Sequence, residues 1–191
     1  TLQLNPTVTG GTGPFTYQWG NDTLILTTPS TSSTATVNTK DYVNTYYLSY
    51  TVTDKNNCSE KKDISVVINP EPKVTATVDD TVSCVGNIVQ LQGNVTSGNT
   101  TGSVTHEWIS PYASSLSNAN IPNPTLQSYV SGVLSFKYKF TDEKGCSATS
   151  DEVVIENNPN PTIAINPVAP QCASTQGVQL SATASVSGIP S

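Results

Sequence analysis

Large apolar side chains in this sequence alternate with small polar ones in short runs. In Leu48-Ser49-Tyr50-Thr51-Val52-Thr53 the residues Leu48, Tyr50 and Val52 share one face and Ser49, Thr51 and Thr53 the other. Phe136, Tyr138 and Phe140 repeat the arrangement, with Lys137 and Lys139 turned outward. A period of two marks a strand with one buried face. Val74-Thr75-Ala76-Thr77-Val78 and Ile163-Ala164-Ile165 follow the same rule, and abundant threonine, valine and tyrosine suit strands. Asp54-Lys55-Asn56-Asn57 and Asp142-Glu143-Lys144-Gly145 separate two such runs each and predict hairpins, their aspartates accepting hydrogen bonds from turn backbone N–H groups. No segment carries a convincing helical stripe. The chain is therefore expected to be all-β.

The runs recur. Leu2-Gln3-Leu4, Val89-Gln90-Leu91 and Val178-Gln179-Leu180 are alike, with Leu4 to Leu91 spanning 87 residues and Leu91 to Leu180 spanning 89. Phe15-Thr16-Tyr17-Gln18-Trp19 parallels Val104-Thr105-His106-Glu107-Trp108, and Tyr50 to Ser59 parallels Tyr138 to Ser147. Val66-Val67-Ile68 is matched with Val153-Val154-Ile155. These anchors predict a tandem array with a unit of about 88 residues. Asn69-Pro70-Glu71-Pro72 and Asn157-Asn158-Pro159-Asn160-Pro161 read as linkers, because Pro-x-Pro favours extended backbone and cannot continue a ladder. The expected units are 1–69, lacking its first strand; 70–157, complete; and 158–191, the start of a third. Roughly seven strands per unit is the profile of an immunoglobulin-like β-sandwich. Trp19 and Trp108, facing the Tyr50 and Tyr138 strands, are the expected core anchors. Two readings stand for the strands around Ile163 to Val186: they fill the opening in the first unit of a neighbouring copy, a donor-strand arrangement, or they are simply an ordered stretch of a longer chain.

Composition narrows the function. The net charge is −6, only 12% of residues are charged, and all eight basic residues are lysine. The absence of arginine weighs against nucleic-acid or phosphate recognition. No apolar run reaches the length of a membrane span, and no signal peptide is visible. A chain with no methionine reads as a processed product or an excised piece.

Candidate chemistry is sparse. His106, the single histidine, alternates with Val104 and Trp108, so strand packing is favoured over catalysis. Gly10-Gly11-Thr12-Gly13 lacks the Lys-Ser/Thr and helix of a phosphate loop and reads as a strand connection. Asp79 and Asp80 are the weak calcium candidates, but two adjacent acids without a full loop favour a solvated turn, so no cofactor is expected. Exposed Tyr42, Tyr112 and Tyr129 have the chemistry to stack on sugars, with cross-strand packing the commoner role.

Four cysteines leave two pairings open. Cys84–Cys146 would close a loop inside one unit, worth about 4 kcal/mol on the chain-entropy argument. It is preferred because a repeat carrying its own pair is self-sufficient. Against it, the two residues belong at opposite ends of a standard sandwich. The rival joins Cys58 to Cys84 and Cys146 to Cys172 across the proline linkers, and free thiols remain a third reading. Metal binding is not expected, since no C-x-x-C and no histidine cluster is present.

Pro14-Phe15-Thr16-Tyr17-Gln18-Trp19, followed by Tyr50-Thr51-Val52-Thr53-Asp54-Lys55-Asn56-Asn57-Cys58, resembles the Y-x-Y-x-W … Y-T-V-T-D-x-N-G-C signature of PKD-like repeats in large Bacteroidota surface adhesins of the gliding-motility type. Val82-Ser83-Cys84-Val85-Gly86 is similar to the family's V-C-x-G opening. Asn57 stands where the family has glycine, and His106 where it has an aromatic residue. The resemblance implies a non-catalytic, extracellular stalk and multivalent attachment segment exported by type IX secretion. The implied partners are neighbouring repeats, the secretion machinery, and surface glycans or abiotic surfaces, with no nucleic acid and no membrane insertion. Asp22-Thr23-Leu24 and Asp80-Thr81-Val82 resemble the D-T-hydrophobic sites that Bacteroidota O-glycosylate. The alternative reading is a carbohydrate-binding module accessory to a secreted polysaccharide-degrading enzyme. No triad, strand-end carboxylate pair or metal constellation points to an enzyme.

Overall fold

A computed structural model describes residues 1–40, 42–168, 170, 177 and 179–185. The polypeptide divides into two compact units, Thr1–Pro70 and Glu71–Ser191. The described residues are almost entirely strand and loop, with a single 3₁₀ turn at Thr23–Ile25 and another at Ala113–Ser115.

The first unit holds β1 (Leu2–Leu4), β2 (Thr16–Asn21), β3 (Ala35–Val37), β4 (Asn44–Thr53) and β5 (Ser59–Ile68). β1 pairs with β3, and a second sheet runs β2-β4-β5, all antiparallel. Trp19, Ile25, Ala35, Val37, Leu48, Tyr50, Val66 and Ile68 form its buried core.

The second unit holds β6 (Lys73–Val78), β7 (Val82–Cys84), β8 (Ile88–Ser97), β9 (Thr105–Ile109), β10 (Thr125–Gln127), β11 (Gly132–Thr141), β12 (Ser147–Thr149) and β13 (Val153–Asn158). One sheet is β10-β8-β6. In the other, β11 pairs with β9 on one side and with β12 and β13 on the other, and β7 pairs in parallel with β13. This two-sheet arrangement is an immunoglobulin-like sandwich. β11 shows why it forms. Leu134, Phe136, Tyr138 and Phe140 all face inward and are at most 1% exposed, while the residues between them are not buried. That alternation drives one face of the strand into the core. Buried Asn157 ties the last strand to the loop before β11 by donating to Ser128 O (3.3 Å) and Val130 O (2.6 Å). β14 (Thr162–Ile165) and β15 (Ala182–Ser185) follow as an antiparallel pair.

Strands and hairpins are found where alternation placed them, but Ile163 and Ile165, expected on a half-buried strand, are exposed, and one alignment needs correction. Ladder register sets Val66 opposite Tyr46 and Ile155 opposite Leu134, so Val66 corresponds to Ile155 and Ile64 to Val153. The shared Val-Val-Ile string is displaced by two residues, because β5 is one continuous strand of 10 residues. Its counterpart is interrupted at Ser150-Asp151-Glu152, where Ser150 Oγ accepts the Tyr138 N–H at 3.0 Å and donates to Asp151 O at 2.7 Å.

Candidate functional site

The two tryptophans are set alike. Trp19 and Trp108 are each 2% exposed. The indole Nε1 donates to Ser32 O (3.0 Å) in one unit and to Ile121 O (3.1 Å) in the other, 13 residues downstream in both. Each lies beside its tyrosine in the same sheet rather than across the core. Trp19 pairs with Tyr50 at 4.5 Å between ring centroids, and Trp108 with Tyr138 at 5.3 Å. Burial with a satisfied N–H lets the ring contribute its full apolar area.

The tyrosines then diverge. Tyr138 lies against the backbone of Gly93, where an added Cβ would come within 2.5 Å of the ring. Its hydroxyl shares a 2.6 Å hydrogen bond with His106 Nδ1, and the two rings stack. Burial holds the His106 imidazole below the ordinary histidine range and pushes the Tyr138 phenol up. His106 is thus a packed strand residue. In the first unit Tyr17 takes its place, and Tyr50 Oη instead donates to Ser33 O at 3.0 Å.

The hairpin aspartates do what their sequence implied. Asp54 Oδ1 accepts the N–H groups of Asn56 (2.8 Å) and Cys58 (3.0 Å), and Asp142 Oδ1 those of Lys144 and Cys146 (both 2.9 Å). The Cys58 amide foremost, with those of Thr12 and Asn56, holds the Asp54 carboxyl below the usual range. Thr12 donates to Asp54 Oδ2, so the glycine loop Gly10–Gly13 is a connection braced on this turn.

Cys58, Cys84 and Cys146 are free thiols. The expected Cys84–Cys146 bridge does not form, and the reason is spatial. Cys84 pairs with Asn158, beyond the Gly132 end of β11, whereas Cys146 lies in the hairpin at its Thr141 end. Nine strand steps of about 3.3 Å separate those ends by roughly 30 Å, far beyond the roughly 4.4–6.8 Å between Cα atoms that a disulfide spans. Cys172 of the rival pairing lies outside the described residues. Burial, then the charges of Asp142 and Glu71, raise the Cys146 thiol pKa.

Asp79 is occupied in the backbone: its Oδ1 accepts the Gln90 N–H at 2.8 Å while its own N–H donates to Gln90 O. Asp80 is exposed. Among the described residues no group of three His, Cys, Asp or Glu side chains converges as a metal site. Tyr42 packs edge-on against Tyr46 and Tyr112 packs on the second core, while Tyr129 is 74% exposed. Thr23 opens a 3₁₀ turn and Thr81 is exposed on the segment before β7.

A concavity lies elsewhere. A cavity of about 620 Å³ in the first unit is lined by Leu4, Pro6, Val8, Trp19, Tyr50 and Val52, with Glu60, Lys62 and Ile64 along its rim. It lies where β6 lies in the second unit. No strand pairs with Asn5–Thr9 among the described residues, so a row of backbone donors and acceptors borders an apolar trough. Pro6 and Val8 belong to the repeated Leu2–Gly10 segment, but repetition along the chain does not say that they border a cavity.

No protein family and no curated protein matches the sequence. Among solved structures the chain is similar to fibronectin(III)-like modules of Clostridium thermocellum CbhA, with 13% identity over 80% of this chain and 83% of that one and a TM-score of 0.40. It is similar to the D00-D0 domain of intimin, with 14% identity over 77% and 86% and a TM-score of 0.34. Murine CEACAM1b is similar at 12% identity over 80% and 89%, with a TM-score of 0.35.

Proposed function

We propose that this polypeptide is a non-catalytic repeat segment of an extracellular bacterial surface adhesin, serving as a stalk and multivalent attachment module. The observation that carries the reading is a duplicated interior. Two units in one chain each hold a cross-strand Trp–Tyr pair, a capped indole N–H and an aspartate-closed hairpin. The duplicated parts are packing and turn parts, which is what a load-bearing series requires. The resemblance of Phe15–Trp19 and Tyr50–Cys58 to PKD-like repeats supports a Bacteroidota adhesin of the gliding-motility type, carried outward by type IX secretion. Attachment by many weak copies needs no strong single site. Tyr47 and Tyr129, at 62% and 74% exposed, are single rings on separate units, a sparse provision for a flat sugar platform.

A glycan array probed with the monovalent chain and with beads bearing many copies tests this. The expected result is retention of the beads on surfaces where the single chain shows no saturable signal. Saturable binding of the single chain to one defined glycan would overturn the reading in favour of a carbohydrate-binding module.

A further inference from the structure

β6 is an edge of the second unit. Its sheet runs β10-β8-β6, and among the described residues no strand pairs with the far side of β6. The ladder tells which groups lie on that side. The Leu91 and Gly93 N–H groups donate away from β6, to Pro124 O and Pro122 O, and the Asp79 N–H donates toward β8, to Gln90 O. Successive strand amides point opposite ways. Thr75 and Thr77 therefore face Asn94 and Gln92 of β8, while the N–H and C=O groups of Val74, Ala76 and Val78 point outward. We propose that this edge pairs with the same edge of a second copy of the chain, antiparallel and centred on Ala76, so that the two copies close as a symmetric dimer.

The residues of the strand select that register. A two-fold axis through Ala76 makes hydrogen-bonded pairs of the outward groups, Ala76 with its own equivalent and Val74 with Val78 of the second copy. Thr75 falls opposite Thr77, and Lys73 opposite Asp79, in the non-hydrogen-bonded pairs where side chains approach most closely. Lys73, Thr75, Thr77 and Asp79 are all exposed. Among the described residues Lys73 makes no ion pair, and Asp79 commits only Oδ1, to the Gln90 N–H. Each end of the interface therefore joins a lysine to an aspartate. Moving the register by two residues keeps the faces but sets Lys73 opposite Thr77 or Thr81, and both charge pairs are lost.

The edge lacks the devices that usually blunt one. Val74-Thr75-Ala76-Thr77-Val78 holds neither a charge nor a proline. Pro72, without an N–H to offer, ends the ladder just before Lys73. β9 and β10, also at sheet edges, are covered by their own chain. Trp108 of β9 donates its N–H to Ala119 O, and Thr125 of β10 accepts from the Ser117 N–H and donates to Ser117 Oγ. A ladder as short as β6 makes a weak, reversible contact. It joins copies through their sheet edges and stands independently of the stalk reading.

Sedimentation velocity of the 191-residue chain from about 1 μM to about 1 mM, with amide hydrogen exchange at both limits, tests the pairing. The expected result is a dimer that grows with concentration, with the Val74, Ala76 and Val78 amides slowed by about threefold or more in it. Lys73→Asp sets two carboxylates against each other at each end and is expected to weaken association by about tenfold or more. Asp79→Lys alone should do the same. An equimolar mixture of the two variants should regain the parent association, because every junction then joins a lysine to an aspartate. Ala76→Pro deletes the central outward N–H without changing any charge, and should leave a monomer with the core intact. A parent chain that stays monomeric at every concentration overturns the proposal. So does a dimer whose β6 amides exchange at the monomer rate, or one that Lys73→Asp and Ala76→Pro both leave intact.

Discussion

At the residue scale, one carboxylate closes each hairpin. Asp142 is 4% exposed and spends Oδ1 on two turn amides, while its Oδ2 is buried without a partner. Asp54 differs because Thr12 reaches its Oδ2, whereas Glu143 accepts from Asn99 and stands against Gly102 in the corresponding loop. Asp142→Ala would strand two amide donors and is expected to cost about 1–3 kcal/mol, read as a lower urea midpoint for the second unit. The same turns need a left-handed residue, filled by Asn57 at φ 62° and Gly145 at φ 81°. Gly145→Ala should therefore cost about 1 kcal/mol, while Asn57→Gly should not destabilise the first unit in the same assay. These turns were legible because aspartate and a glycine or asparagine three residues on have one well-known geometry. For the cysteines the sandwich topology already set Cys84 and Cys146 at opposite ends, and preferring a repeat that carries its own pair gave that geometry too little weight.

At the element scale, alternation located the strands but not their register. The repeated Val-Val-Ile string drew β5 and β13 into an alignment two residues from the one the ladders adopt, because both phases keep the inward and outward faces. The pairing with Tyr46 and Leu134 decides the phase, and that is a contact between distant segments. Gly93 shows the same limit. Its lack of a side chain lets Tyr138 lie on the β8 backbone, whereas Pro6 occupies this place in the first unit and Tyr50 bonds Ser33. Gly93→Ala is expected to destabilise the second unit by about 1–3 kcal/mol through overpacking. Near-ultraviolet circular dichroism should show the tyrosine environment altered, and an unchanged spectrum with unchanged stability would refute the contact. The trough of the first unit was not legible, since its floor is made of residues that serve elsewhere as ordinary core.

At the scale of the whole molecule, each unit has its own core and its own tryptophan, so heating is expected to reveal two transitions. Trp108→Ala should lower one and Trp19→Ala the other, each by about 3–5 kcal/mol, and calorimetry that shifts both together would refute separate cores. Acid should distinguish the two transitions as well. Burial lowers the folded-state pKa of His106 from the ordinary 6.5. Between that lowered value and 6.5 the unfolded chain binds more protons than the folded one, so stability is full above about pH 6.5 and declines as pH falls through the window. The first unit carries Tyr17 at this ladder position, opposite Val52 as His106 is opposite Phe140, and it has no histidine. The second transition should thus move down relative to the first between about pH 7.5 and pH 5.5. His106→Tyr should make the two shift in parallel, because it removes the titrating ring while keeping an aromatic face against Tyr138. A relative shift that persists in His106→Tyr would assign the acid sensitivity to carboxylates instead.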